Sequence, residues 1–175
     1  MMKWGFLAGY IATIPLANWM IGNVGTFCIP DGPCMIPLGF GLTAPSGVLM
    51  IGLALVLRDF VHDTLGAKWT LGAILVGALL SYLLADPFIA MASLVAFAVS
   101  ELSDFAVYAP LRKRSRSMAI LASGIVGSIV DSALFLYLAF GSLAYVEGQI
   151  VGKLAMTVLV VLFLPTVKKG IYYDT

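Results

Sequence analysis

The sequence predicts an all-α integral membrane protein, a compact bundle of six transmembrane helices that forms a single domain over residues 1–175. First, 61% of the 175 residues are hydrophobic and only 11% are charged, against about 45–50% and about 25% in soluble domains. Second, the hydrophobic residues are gathered into six segments, each extendable to the roughly 20 residues that a spanning helix needs. Third, the connections between these segments alternate in charge, which is typical of a chain that crosses a membrane repeatedly.

The six helices are expected at residues 3–22, 45–65, 68–85, 88–109, 117–141 and 147–167. The first contains the uncharged run Trp4–Ile21 and lacks a small-residue cleavage site, so we expect a retained helix rather than a signal peptide. The second, fourth, fifth and sixth reach spanning length only by including charged residues. Those charged positions are therefore the first candidates for function.

Charge in the connections predicts the orientation of the bundle. Residues 110–116 form a basic loop with four Lys or Arg residues, whereas Asp31 is the only charged residue in the 23–44 connection. Basic connections stay on the cytoplasmic side of a membrane. We therefore expect both termini in the cytoplasm, with residues 23–44 forming an extracytoplasmic loop.

The extracytoplasmic loop contains the only two cysteines of the chain, Cys28 and Cys34, on either side of an Ile-Pro-Asp-Gly-Pro turn. This side of the membrane is oxidising, so a disulfide and a pair of free thiols are both open at this point. A chain with one histidine cannot supply the His-rich or four-ligand sites that zinc uses. We expect no metal site.

Charged side chains within the membrane are expected to form two pairs between helices. A charge in hydrocarbon costs at least about 2.5–3.5 kcal/mol, so such residues face the bundle interior and mark substrate or ion paths. A rise of about 1.5 Å per residue from the predicted helix ends places Arg58 and Glu101 at one depth, and Asp131 and Lys153 at another, nearer the outer face. Asp104, three residues after Glu101, shares its helix face.

Further polar groups lie close to these pairs. Carboxylates accept hydrogen bonds from a donor-rich ligand edge, and lysine or amide groups donate to a carbonyl. The alternative is an architectural network that only fixes helix packing. His62 titrates near neutral pH, and both a proton role and a capping role stay open. The residues expected to contact a ligand are Glu101, Asp104, Asp131, Lys153, Gln149, Asn18, Arg58 and Asp59.

The sequence contains none of the catalytic motifs that we would expect of a membrane enzyme. The chain lacks Gly-x-Ser-x-Gly and His-Glu-x-x-His sequences, so we expect neither catalysis nor a cofactor. Its net charge of +1 and its lack of a basic face predict no nucleic-acid partner. Several unlike polar residues converging within a small bundle favour a transporter of a small polar molecule.

Four segments carry a resemblance to a known family. Asp59–Gly66, Ser100–Tyr108, Ser123–Ser132 and Gln149–Lys153, in this order and spacing, resemble the VUT family of queuosine precursor transporters. The resemblance covers helices two to six. It implies a six-helix bundle similar to the substrate-binding subunits of vitamin importers, in the cytoplasmic (inner) membrane of a prokaryote.

The resemblance also implies a cargo, 7-cyano- or 7-aminomethyl-7-deazaguanine. By position it points to Asp59, Glu101, Asp104, Asp131 and Lys153. The alternatives are a vitamin or nucleobase substrate-binding subunit that works with an external ATPase module, and a membrane scaffold that transports nothing. A homodimer, an energising subunit and proton coupling all stay open, since the chain has no ATP-binding motif.

Overall fold

A computed structural model describes residues 2–30, 32–85, 90–143 and 145–172 of the chain. Within these ranges lie six helices and one small sheet. Asp31 and the predicted start of the fourth helix at residues 88–89 fall outside the described residues. The helices are α1 (Met2–Asn23), α2 (Val48–Leu65), α3 (Ala67–Leu84), α4 (Ala90–Leu111), α5 (Arg116–Phe140) and α6 (Val146–Tyr172).

Four of these helices are long and apolar enough to cross a membrane: Lys3–Asn23, Ala67–Leu84, Ala90–Leu111 and Arg116–Ala139. Their outward surface is apolar, as α3 illustrates, where Leu71, Leu75, Leu79 and Leu83 recur every four residues and are all exposed. Such a stripe lies on one side of a helix and has no partner within the bundle. The chain is therefore a helical membrane protein.

The 23–44 connection contains a three-stranded antiparallel sheet where the sequence predicts only a loop. Its strands are β1 (Phe27–Cys28), β2 (Cys34–Gly39) and β3 (Leu42–Pro45), in the order β1-β2-β3. Helix α2 consequently begins at Val48 rather than at residue 45, because Pro45 pairs with Met35 of β2. Cys28 and Cys34 are paired across β1 and β2 and form a disulfide.

Helix α2 lies at the centre of the bundle, in contact with the five other helices. This position explains its unusual composition, since a helix surrounded by protein can carry charged side chains that a lipid-facing helix cannot. Arg58, Asp59 and His62 of α2 are all buried. Two apolar clusters flank the charged residues, one around Tyr10, Ile14 and Phe97 and the other around Phe60, Tyr108 and Ile120.

Glycine allows α2 to approach α6 closely. A Cβ atom at Gly52 would lie 2.6 Å from the backbone oxygen of Lys153, closer than atoms can pack. Small residues at such crossings are what let two membrane helices pack backbone against backbone. The crossing fixes the height of Lys153 in the bundle.

We expect Gly52→Ala to lower the stability of the purified protein by about 1–3 kcal/mol, because the added methyl group forces α2 and α6 apart. Thermal unfolding in detergent measures the change. Gly72→Ala is the matched control, since a Cβ at Gly72 meets nothing within 4 Å on the exposed side of α3. Equal melting temperatures for the two variants would contradict the close crossing.

Candidate functional site: a polar cavity and a buried ionic cluster

A cavity enclosing about 560 Å³ of empty space, including open solvent, lies at the end of the bundle that carries the sheet. The part of this space open to the centre of a water-sized sphere is about 80 Å³. All six helices contribute to its wall because their sheet-side ends converge there. The lining residues are Ala17, Asn18, Ile21, Pro45, Gly47, Val48, Ile51, Ser81, Ser93, Phe97, Asp131, Phe135, Gln149 and Lys153.

An ion pair between α5 and α6 forms the most polar part of the cavity wall. Lys153 Nζ lies 2.5 Å from Asp131 Oδ2, and it also donates to Ser132 Oγ at 2.7 Å and to Gln149 Oε1 at 3.3 Å. A lysine ammonium has three donors, so these three contacts use all of them. The Lys153 side chain is 2% exposed and that of Asp131 is 13% exposed, which makes Asp131 the more accessible partner.

Two amide side chains are oriented by the hydrogen bonds they already make. Gln149 Oε1 accepts from Lys153, which leaves the Gln149 amide nitrogen as a donor. Asn18 Nδ2 donates to the backbone oxygen of Ile14 at 3.0 Å, one turn earlier in α1, which leaves the Asn18 side-chain oxygen as an acceptor. The cavity thus combines an amide donor, an amide acceptor and a carboxylate.

Behind the cavity, a second set of charges surrounds Arg58; we call Arg58, Asp59, Glu101 and Asp104 the Arg58 cluster. Arg58 Nη2 lies 3.1 Å from Asp59 Oδ1 and forms an ion pair with Asp104 Oδ1, while Arg58 Nε lies 3.5 Å from Glu101 Oε2. All four side chains are at most 2% exposed. None of them lines the cavity.

Ser100 lies next to both polar centres, since it contacts Asp131 of the cavity wall and directly precedes Glu101 of the Arg58 cluster. Its hydroxyl lies 3.4 Å from Asp131 Oδ1 and 3.0 Å from the backbone oxygen of Phe97, and the next residue along α4 is Glu101. Both acceptors compete for the single hydroxyl proton. The residue that contacts Asp131 is therefore the sequence neighbour of a member of the cluster.

At the opposite end of the bundle, Asp63 joins the end of α2 to the basic connection. Asp63 Oδ1 accepts from Arg112 Nη1 at 2.8 Å, and Arg116 Nε lies 2.6 Å from Asp63 Oδ2. The neighbouring His62 ring packs edge-on against Phe105 and Tyr108, with centroids 5.0 and 5.8 Å away. These contacts hold the basic connection against α2, at the end of that helix opposite the cavity.

The structure separates the eight predicted ligand contacts into two groups. Asn18, Asp131, Gln149 and Lys153 line the cavity, whereas the remaining four residues form the Arg58 cluster. Both ion pairs expected from helix depth are present, Arg58 with Glu101 and Asp131 with Lys153. Sequence reasoning missed Ser132 as a partner of Lys153, although its position next to Asp131 is a usable signal.

Sequence reasoning also missed the aromatic part of the site. Phe97 and Phe135 belong to the cavity wall, and nothing in the composition of an apolar helix distinguishes a cavity-facing phenylalanine from one that faces lipid. Depth along the helix places both near the sheet-side end. Only the rotation of α4 and α5 about their axes decides which way each residue faces.

An apolar helical bundle with a polar cavity at one end is an arrangement that suits a membrane transporter, and the comparison with known families gives that class. A family model described as "Putative vitamin uptake transporter" matches residues 78–167, just over half of the chain. The chain belongs to this VUT family, which confirms the resemblance seen in the sequence. No curated protein and no solved structure matches the chain.

The Asp131–Lys153 pair gives a test of the cavity wall. We expect Lys153→Met to destabilise the protein by about 3 kcal/mol, because it leaves a carboxylate without its cation in a poorly solvated place. Asp131→Asn should also lower the stability, because it leaves the Lys153 ammonium without its carboxylate. The double variant should lose less stability than the sum of the single losses, since neither unpaired charge is then present.

The measurement is a double-mutant cycle on thermal or denaturant unfolding in detergent. Asp63→Asn is the control, because its ion pairs with Arg112 and Arg116 are more exposed and such pairs contribute about 0–1 kcal/mol. Strictly additive losses for Asp131 and Lys153 would show that the two side chains do not interact.

Proposed function

We propose that this protein is a carrier that imports a queuosine precursor, 7-cyano- or 7-aminomethyl-7-deazaguanine, and binds it in the cavity. The observation that carries the proposal is the combination in one wall of the Asp131–Lys153 pair with the oriented amides of Gln149 and Asn18. Family membership supports transport of a small molecule. The choice of a deazaguanine rests on the motif resemblance and on the chemistry of the cavity.

The chemistry of a deazaguanine matches these groups. Its pyrimidine edge presents adjacent N–H donors, which a carboxylate such as Asp131 accepts in pairs. Its ring carbonyl accepts a hydrogen bond from the amide nitrogen of Gln149. Phe97 and Phe135 supply apolar surface for a flat ring. The aminomethyl form adds a cation, for which Asp131 and the acceptor oxygen of Asn18 are suitable partners.

Lys153 acts in this proposal by holding other groups rather than by touching the ligand. Its three donors are engaged by Asp131, Ser132 and Gln149, so a direct contact with cargo requires one of these bonds to break. As placed, Lys153 forms an ion pair with Asp131 and occupies the side-chain oxygen of Gln149, which leaves the Gln149 amide nitrogen to donate. Both effects favour a ligand with neighbouring donor and acceptor atoms.

The same proposal sets the orientation in the membrane. All six helices cross the cytoplasmic (inner) membrane of a prokaryote, including α2, which its neighbours shield from lipid. Both termini lie in the cytoplasm. The sheet, the disulfide and the cavity then face outward, the side from which an importer receives cargo. The basic residues 112–116 lie at the opposite, cytoplasmic end.

The orientation is tested by labelling Cys28 and Cys34 in whole cells. We expect a membrane-impermeant maleimide to label the protein only after treatment with a reductant, because the disulfide blocks both thiols. The Ser115→Cys variant, at the N-terminus of α5, is the control for the cytoplasmic side and should stay unlabelled until cells are opened. The reverse pattern would invert the topology.

The cargo is tested by thermal stabilisation of the purified protein with a panel of 7-deazaguanines, guanine and common vitamins. A ligand that binds only the native state adds RT ln(1 + [L]/Kd), about 2.7 kcal/mol at one hundred times Kd. We expect stabilisation by the deazaguanines alone. Asp131→Asn should weaken binding by about tenfold or more, since hydrogen bonds to a charged group are worth about 1.5–3 kcal/mol.

Asp63→Asn, which alters a carboxylate outside the cavity, should bind as the unmodified protein does. Uptake of the stabilising compound into proteoliposomes then separates a carrier from a protein that only binds. Stabilisation by vitamins alone would replace the proposal with a vitamin-binding subunit served by an external ATPase module, which the family's description favours. No stabilisation by any compound would contradict ligand binding in this cavity and leave the scaffold as the function.

A further inference from the structure

We propose that the Arg58 cluster is a proton-binding site, and that Glu101 carries the exchangeable proton. The cluster is buried and its charges do not balance. Three carboxylates surround one guanidinium, and all four side chains are at most 2% exposed. With every group ionised, the cluster would hold two negative charges without a counterion.

Such an imbalance is not sustained in a poorly solvated interior. Each unpaired buried charge carries a large desolvation cost, and a buried acid without a cation of its own takes up a proton instead. Lys153, in the cavity wall, is already paired with Asp131, and Arg112 and Arg116 are paired with Asp63. The cluster therefore needs either protons or another cation.

The arrangement of Arg58 argues for protons rather than a metal ion. The guanidinium occupies the middle of the cluster and contacts all three carboxylates, which leaves a metal ion facing a fixed positive charge. Among the described residues, no three His, Cys, Asp or Glu side chains are placed to hold a metal ion. A proton needs no such coordination shell.

Unsatisfied polar atoms in the same place point the same way. Glu101 Oε2 and Asp59 Oδ1 lie at ion-pair distance from Arg58 but have no hydrogen-bond partner among the described residues. The hydroxyl of Tyr10, a fully buried residue of α1, also has none there, and it is within electrostatic reach of Glu101 and Arg58. Arg58 Nε and Nη2 also have no hydrogen-bond partner there, so the guanidinium does not fully satisfy the carboxylates, and a protonated carboxyl can donate its O–H to a neighbouring carboxylate oxygen.

Glu101 is the member best placed to exchange the proton. Its ion pair with Arg58 is the longest of the three, at 3.5 Å, so it gains least from the guanidinium. It also follows Ser100, whose hydroxyl lies 3.4 Å from Asp131 in the cavity wall. The charged or titratable groups that act on Glu101 are Tyr10 of α1, Arg58 and Asp59 of α2, Asp104 of α4 and Asp131 of α5.

Proton binding converts the Glu101 carboxylate to the neutral acid, and release to water restores the carboxylate and one H⁺. Glu101 and Asp131 act on each other electrostatically, so the charge of Glu101 is felt at Asp131, where cargo is proposed to bind. Uptake driven by a proton gradient is the consequence, and this consequence rests on the proposed transport function. The proton site itself does not depend on the identity of the cargo.

The first test is infrared spectroscopy of the ligand-free protein in lipid at neutral pH. We expect the carbonyl stretch of protonated carboxylic acid in the unmodified protein, with a component assigned to Glu101 that disappears in Glu101→Gln and stays in Glu147→Gln, the same change at an exposed position of α6. Glu101→Asp, which keeps a carboxyl, should shift the band and serves if the glutamine variant does not fold. Absence of the band in the unmodified protein, or an identical band in Glu101→Gln, overturns the assignment.

The second test uses proteoliposomes, 7-aminomethyl-7-deazaguanine and an imposed gradient with the acidic side outside. Each pH unit is an about tenfold difference in proton concentration, and we expect a several-fold rise in initial uptake that Glu101→Gln abolishes. An initial rate of uptake that is the same with and without the gradient overturns proton coupling. The carboxylic acid band together with no deazaguanine uptake under any condition instead overturns the proposed cargo while the proton site stands.

Discussion

The placement of one guanidinium inside the bundle governs the rest of the structure. Arg58 is fully buried on α2, and a positive charge in that position requires anions from whichever helices surround it. Asp59 comes from the same helix, while Glu101 and Asp104 come from α4. The need to satisfy Arg58 therefore fixes how α4 is rotated about its axis. The same rotation brings Ser100 toward Asp131 on α5.

The chain keeps its two polar centres apart, and the division has a chemical logic. In the cavity wall, one carboxylate pairs with one ammonium. The charges of the wall therefore balance, and hydrogen-bonding atoms remain for a ligand. In the Arg58 cluster, carboxylates outnumber cations and solvent is excluded. The first arrangement suits recognition of a polar molecule and the second suits storage of a proton. Ser100, which contacts Asp131 in the cavity wall, directly precedes Glu101 of the cluster on α4.

Much of this arrangement could be predicted from the sequence, and the parts that could not share a physical reason. Hydropathy located the helices to within a few residues, and the fixed rise of a helix paired Arg58 with Glu101 and Asp131 with Lys153 by depth alone. Depth does not give the direction in which a side chain points. For that reason the separation of the eight polar residues into two sites was not visible. The sheet escaped because strands of two to six residues, rich in Pro and Gly, show too short a pattern to distinguish them from a loop.

The sheet and α6 are joined more tightly than a covering loop and a helix usually are. At Gly148 no side chain fits, because a Cβ there would overlap the backbone of Thr43 in β3, and at Gly152 one would press against Val48 and Leu38. The sheet is further stapled by the Cys28–Cys34 bond. Lys153 follows Gly152 directly. The sheet therefore packs directly on the turns of α6 that carry Lys153, so the position of this ammonium in the cavity wall depends on the sheet as well as on α5.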